Sequence, residues 1–257
     1  MGDLYGILPK VEKVVSEQKA LGKAGKTIRL DISALYAFCN WCIQRDFLAD
    51  NPLRKISKIS AEPKSIRRAL TEQELERIFQ VIVANQDIFG YWMALLPVAC
   101  ACGFRCNALK ALTVHHLDEE NRLVKLIACK AKNRKESLKA ISPEMIQLML
   151  DSYHSGTPAR FNEKYYARVD ASQKPPKEAL LYVPSHPARE LDKLLDLARV
   201  PKATAEGKID FHASRASCAT FFLAIGATMK EAQVALDHSD QRITDRYYAK
   251  AHTARMH

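Results

Sequence analysis

No stretch of this sequence is long and apolar enough to cross a bilayer: the longest run, MALLPVACACGF at 93–104, is short and is broken by Pro97 and Gly103. A secretory leader is not expected either, since MGDLYGILPK lacks a basic start followed by an apolar core. The seven cysteines are odd in number and form no disulfide-like framework, which fits free thiols in a reducing compartment. Cys100, Cys102, Cys106 and His115 do not make a zinc site on paper, because Gly103 interrupts any shared helix face and no standard ligand spacing occurs. These absences point to a cytoplasmic chain without a membrane partner or a metal. Acidic charge is the remaining shortage. With 39 Lys and Arg against 29 Asp and Glu, the formal net charge is +10, and a surplus of that size favours a polyanionic partner. No basic amphipathic helix stands out, so nucleic acid is favoured over a membrane surface.

What is present reads as a globular chain of 257 residues, 47% hydrophobic and 26% charged, with room for a small domain attached to a larger one. Between 26 and 50, Ile28, Ile32, Leu35, Phe38, Cys39 and Cys42 recur at helical spacing, and Asn51-Pro52 stops the pattern. The basic, uncapped LRKISKISAEPKSIRRA follows. We therefore expect a partial helical domain at 1–60, a linker at 61–69 and a second domain at 70–257. Thr71 and Glu74 make a capping box with Leu70 and Leu75 as its hydrophobic staple, and Ser142-Pro143-Glu144 opens another helix with Ile141 and Ile146. RLVKLIACK (122–130) and ESLKAIS (136–142) alternate around a polar turn and predict a hairpin within a two- or three-stranded sheet. Prolines 158, 175, 176 and 184 make 151–190 read as loop-rich. Gly226 suits a helix C-cap, and Thr228 with Glu231 starts a further helix. Helix, glycine turn and helix over 213–237 would also describe a helix-turn-helix module.

Four segments carry the chemistry. DFHASRASCAT (210–220) places His212 and Arg215 three residues apart, a spacing that alone would suit any exposed helix face. ALDHSDQRITDRYYAK adds His238 and, nine positions later, Tyr247. ACGFRCNALKALTVHHLD adds Arg105 at the mouth of a helix whose expected N-cap is Asn107, with His115 and His116 in the turn after it. Lys132 lies near the hairpin tip. In order and spacing this set resembles the tyrosine recombinases, the phage integrase family: GFR for its first arginine, a hairpin lysine, HASR for His-x-x-Arg, LDHSD for its Leu-Gly-His-Ser box, and TDRYY ending at the nucleophile. His238 falls 23 positions after Arg215, and NP, a basic linker and LTxxEL resemble the family's domain junction.

The resemblance implies a mostly α fold with a small antiparallel β-sheet, the recombinase catalytic domain, preceded by a short helical (SAM-like) core-binding domain. It implies a site-specific recombinase or integrase of bacterial, phage or mobile-element origin, nucleoid-associated, working through a 3′-phosphotyrosyl intermediate without metal, ATP or other cofactor. Double-stranded DNA is its partner, a homo-tetramer exchanges strands on two duplexes, and accessory DNA-bending proteins join it. The residue types suit that chemistry. Arg105 and Arg215 would clamp phosphate oxygens bidentately, and His238 would add a third donor. His212 would be the base, Lys132 the acid for the departing 5′-oxygen, and Tyr247 the nucleophile, whose hydroxyl needs cations nearby to become phenolate. Tyr248 and Lys130 are the alternatives to Tyr247 and Lys132. Lys19, Lys23, Lys26 and Arg29 would contact the DNA backbone. Ala108, Ala216 and Asp237 depart from the family pattern, which more often has an acidic residue, a histidine and a glycine at those places. The first domain reads as short, and ten residues follow Tyr247. A DNA-binding protein without catalysis and a relaxing enzyme resembling type IB topoisomerases are the competing functions.

Overall fold

In a computed structural model of the chain, the described residues are 6–60, 67–126, 136–167, 169–170 and 174–236. The chain divides into two compact units, Met1–Lys64 and Ser65–His257. In the first, α1 (Ile7–Ala20) and α2 (Gly25–Ile43) bury Val11, Val15, Ile28, Cys39 and Cys42 together with Leu48, Leu53 and Ile59. Helix α2 ends well before the Asn51-Pro52 stop expected from the sequence. Asp46 turns left-handed at φ 57°, Phe47 N donates to Cys42 O (2.9 Å) and Asp46 N to Ile43 O (3.0 Å), a Schellman closure with aspartate where glycine is usual. Phe38, expected in the buried stripe, is 50% exposed. Asn51 instead joins two segments. Its buried side chain donates to Tyr36 O and Asn40 Oδ1 and fastens the chain that follows to α2.

The second unit orders α3 (Glu72–Ala84), α4 (Gln86–Phe89), α5 (Trp92–Cys102), α6 (Cys106–Ala111), β1 (Leu117–Asp118), β2 (Leu123–Leu126), β3 (Ser137–Ala140), α7 (Pro143–His154), α8 (Thr157–Tyr166), α9 (Pro187–Leu197), β4 (Ala203–Thr204), β5 (Gly207–Lys208), α10 (Ala213–Ala224) and α11 (Met229–Ala235). The apolar run at 93–104 is its central helix, α5, apolar on every side and packed between α7 and α10. All three capped starts form: Glu74 N donates to Thr71 Oγ1, Met145 N to Ser142 Oγ, and Glu231 N to Thr228 Oγ1. Gly226, at φ 93°, closes α10 through Ala227 N to Phe222 O.

Strands β1, β2 and β3 form one antiparallel sheet in that order, with Val124 opposite Lys139 and Lys125 opposite Leu138. That register puts Lys139 on the buried face beside Val124 and leaves Leu138 58% exposed, an inversion of the usual strand polarity. The loop-rich expectation for 151–190 is corrected. Gly156, left-handed at φ 71°, lets α7 turn directly into α8, while Pro158 and Pro187 occupy first helical turns, where no N–H is needed. Residues Ala179–Val183 are buried, and Leu180 N donates to Leu112 O. Among the described residues no helix is long and apolar enough to cross a membrane.

Candidate active site

Helix α5 ends on Gly103, which is left-handed at φ 58°. A Cβ there would stand 2.5 Å from Leu236 Cδ2 and 3.0 Å from Cys218 Sγ, so the turn is packed hard against α10 and the end of α11 and fits only glycine. The chain then places Phe104 in the core, and Arg105, in extended conformation, is itself the N-cap of α6: Ala108 N and Leu109 N donate to its carbonyl at 2.8 and 3.1 Å. The expected cap at Asn107 is thereby corrected. Once Phe104 is buried and Gly103 has reversed the chain, the next helix begins two positions earlier than the side-chain pattern suggests.

Arg215 lies in the buried first half of α10. Its guanidinium donates to Gly103 O and to Leu236 O, so it ties the turn that launches Arg105 to the end of α11. Lys139 works on the same end. Its Nζ donates to Ala235 O and lies 5.6 Å from the centre of the Phe104 ring. Two cations from different elements thus meet the last carbonyls of α11, where unpaired acceptors and the helix dipole favour positive charge.

His212 stands just before α10, exposed, with its backbone N–H donating to Asp210 Oδ1 at 2.9 Å. Arg67 Nε in turn donates to both Asp210 oxygens at 2.8 Å. The ring borders an open cleft of about 480 Å³ whose other walls include Cys106, His186, Arg189 and Phe211. The surrounding protein disfavours the charged imidazole; Asp210 opposes that shift, while the positive charges of Arg67, Arg215 and Arg105 add to it, and His212 is held below its ordinary value. Burial pushes the Cys100 and Cys102 thiols up to about 12, which makes them inert core groups. Among the described residues no three His, Cys, Asp or Glu side chains converge as a metal site.

Of the expected site residues, Arg105, His212 and Arg215 come together. Lys132, its alternative Lys130, His238, Tyr247, Tyr248 and Asp237 lie outside the described residues. Ala108 and Ala216 are buried. In the first unit Lys19, Lys23, Lys26 and Arg29 are all exposed around the α1–α2 turn; Lys23 pairs with Asp31 at 3.1 Å, and Arg29 reaches Ile59 O at 2.6 Å. Sequence reasoning missed Arg67, Asp210 and Lys139. Asp210 had a legible signal, an aspartate three residues before the first residue of a helix. His116, left without a role, accepts Thr113 N at Nδ1 and caps the short helical turn Val114–His116.

The model of the phage integrase family matches residues 68–254. Tyrosine recombinase XerC of Escherichia coli (strain K12 / DH10B) is 27% identical over 161 residues, 62% of this chain and 53% of XerC. The chain spans about half the length of the curated relatives it matches. Among solved structures, the Tn1549 transposon integrase in complex with circular intermediate DNA superposes with a TM-score of 0.60 at 18% identity, covering 97% of this chain and 84% of the integrase. A lambda integrase dimer bound to a COC′ core site gives 0.64 at 15% identity, covering 93% and 78%. These likenesses establish the fold.

Proposed function

The chain belongs to the phage integrase family, and from that membership we propose that it cleaves and rejoins duplex DNA at a specific site through a 3′-phosphotyrosyl intermediate. The observation that carries this reading is that Arg105 and Arg215, from segments far apart in the sequence, both act by charge on His212, and that Arg215 is bonded to the Gly103 carbonyl in the turn that launches Arg105. Tyr247 Oη attacks the phosphorus and the bond to the 5′-oxygen breaks. The phenolic proton passes to His212, and Lys132 protonates the departing oxygen. A histidine held below its ordinary value is neutral near pH 7 and can accept that proton. Arg105, Arg215 and His238 balance charge on the non-bridging oxygens as phosphorus becomes five-coordinate. A guanidinium carries five N–H donors, so anchoring two carbonyls and facing a phosphate are compatible roles for Arg215. The phosphotyrosyl bond keeps the energy of the broken one, and a second strand's 5′-hydroxyl reverses the step without ATP.

The first unit contributes Lys19, Lys23, Lys26 and Arg29 to the phosphate backbone, and exchange between two duplexes engages four protomers with accessory DNA-bending proteins. The test is covalent trapping on duplex with a bridging phosphorothiolate, the adduct mapped by mass spectrometry. Wild type and Tyr248→Phe should give the adduct on Tyr247, while Tyr247→Phe gives none yet keeps its affinity. Salt-sensitive binding without any wild-type adduct would replace this reading with a DNA-binding protein lacking catalysis. Relaxation of supercoiled DNA that carries no specific site would replace it with a topoisomerase-like activity.

A further inference from the structure

We infer that Arg67 and Asp210 form a positioning pair for His212, fixing its backbone and setting the charge its ring feels; as a catalytic device this rests on the proposed function. Asp210 uses one oxygen twice, accepting His212 N–H and Arg67 Nε, and its second oxygen also accepts from Arg67 Nε at 2.8 Å. Arg67 is no loose surface arginine. Its backbone pairs in parallel with Lys208, Arg68 N donates to Lys208 O at 3.2 Å, and Arg68 is locked to Glu74 and to Pro201 O. The segment that opens the second unit therefore delivers a guanidinium to the carboxylate two residues before His212. Residue 67 also lies just ahead of the family match, which begins at 68.

The charges facing His212 come from every neighbouring element: Asp210 from its own turn, Arg67 from the segment before α3, Arg105 from the start of α6 and Arg215 from α10, with Cys106, His186 and Arg189 on the cleft walls. Asp210 is the carboxylate whose charge favours the imidazolium. Three guanidinium groups oppose it. Asp210 keeps the imidazolium accessible once a proton arrives, and Arg67 prevents that carboxylate from capturing the charge outright. A pair that held only the backbone, with its charges out of reach of the ring, would leave the ring's proton affinity unmoved by either removal. Removing Asp210's charge must lower the affinity of His212 for a proton, and removing Arg67's must raise it.

The ring titration of His212 can be followed by NMR in the full-length protein without DNA, with the signal assigned through His212→Gln. Asp210→Asn keeps an acceptor for the His212 N–H and should move the titration midpoint down; Arg67→Gln should move it up. Each shift should reach about half a pH unit, the scale of losing one charge near a partly solvated ring. Arg67→Lys, which retains the charge, should stay nearer wild type. The acid limb of single-turnover cleavage on the trapping substrate should follow in the same directions. Unchanged midpoints, or both variants moving the same way, would overturn the pair. Opposite NMR shifts in a protein whose wild type forms no covalent adduct would uphold the pair and sink the recombinase reading.

Discussion

Gly103→Ala tests whether the arginine-bearing turn is as tightly packed as its geometry requires. Two costs add. At φ 58° a side chain is strained, at roughly 1–2 kcal/mol for a left-handed residue other than glycine. The new Cβ would also meet Leu236 Cδ2 at 2.5 Å and Cys218 Sγ at 3.0 Å, and both neighbours are only 1% exposed, so neither can swing into solvent. Overpacking of a closed core adds about 1–3 kcal/mol, for a total of about 2–5 kcal/mol, a large part of a typical domain's stability. Gly156→Ala is the matched control. Its φ of 71° is similarly left-handed, but nothing lies within 4 Å of the added carbon, so only the backbone cost applies. Trp92 is fully buried in the second unit, and its fluorescence in a Trp41→Phe background reads urea unfolding of that unit alone. At a slope of about 2 kcal/mol per M the Gly103→Ala midpoint should fall by about 1–2.5 M, and the Gly156→Ala midpoint by well under half the larger value. Equal losses in the two variants would show that the contact with Leu236 and Cys218 contributes nothing, and would refute the account of how Arg105 is held.

Two further outcomes follow from the same geometry. Glu74 caps α3 and accepts both ends of the Arg68 guanidinium at 2.7 Å; burial pushes its carboxyl up, but Arg68 and the Thr71 bonds outweigh this and hold it below 4.5. A depressed folded value means stability is present above the unfolded value and is lost as pH falls through the folded one. Between pH 5 and 3 the wild-type urea midpoint should therefore drop more steeply than that of Glu74→Gln, which starts about 3–5 kcal/mol lower at pH 7 because Arg68 is left buried and unpaired. Parallel curves would assign the acid sensitivity elsewhere. If Lys19 and Lys26 touch phosphates, Lys19→Ala with Lys26→Ala should lower the log–log salt slope of duplex binding by about 2, and an unchanged slope removes them from the interface.

The parts of the fold legible in the sequence were those decided within four residues. Thr71 with Glu74, Ser142 with Met145 N–H, and Thr228 with Glu231 all cap the helices they announce, because a cap depends on its own first turn and little else. Misreadings arose where an unusual residue did a familiar job or a familiar residue did an unusual one. Asp46 took the left-handed closing position that glycine advertises, and Pro158 opened a helix where it read as a loop marker. Strand β3 shows a deeper limit. An alternating pattern fixes which residues share a face but not which face turns inward, and the partner register on β2 turned Lys139 in and Leu138 out.

The same limit applies to the site. Motif spacing groups Arg105, His212 and Arg215, yet it gives Arg215 only a phosphate to hold. Arg215 also joins Gly103 O to Leu236 O, so it is part of the frame that aims Arg105 and the chain entering the LDHSD segment. Loss of cleavage in an Arg215 variant would therefore mix two causes, a missing phosphate donor and a displaced turn. Arg105 separates them. Among the described residues its backbone caps α6 while its side chain makes no hydrogen bond or ion pair, so Arg105→Gln changes the charge acting on His212 and leaves the frame standing. Phosphate contact is better read from that position, and the frame from Gly103, Lys139 and Arg67, of which the recombinase motifs include only Gly103, in GFR.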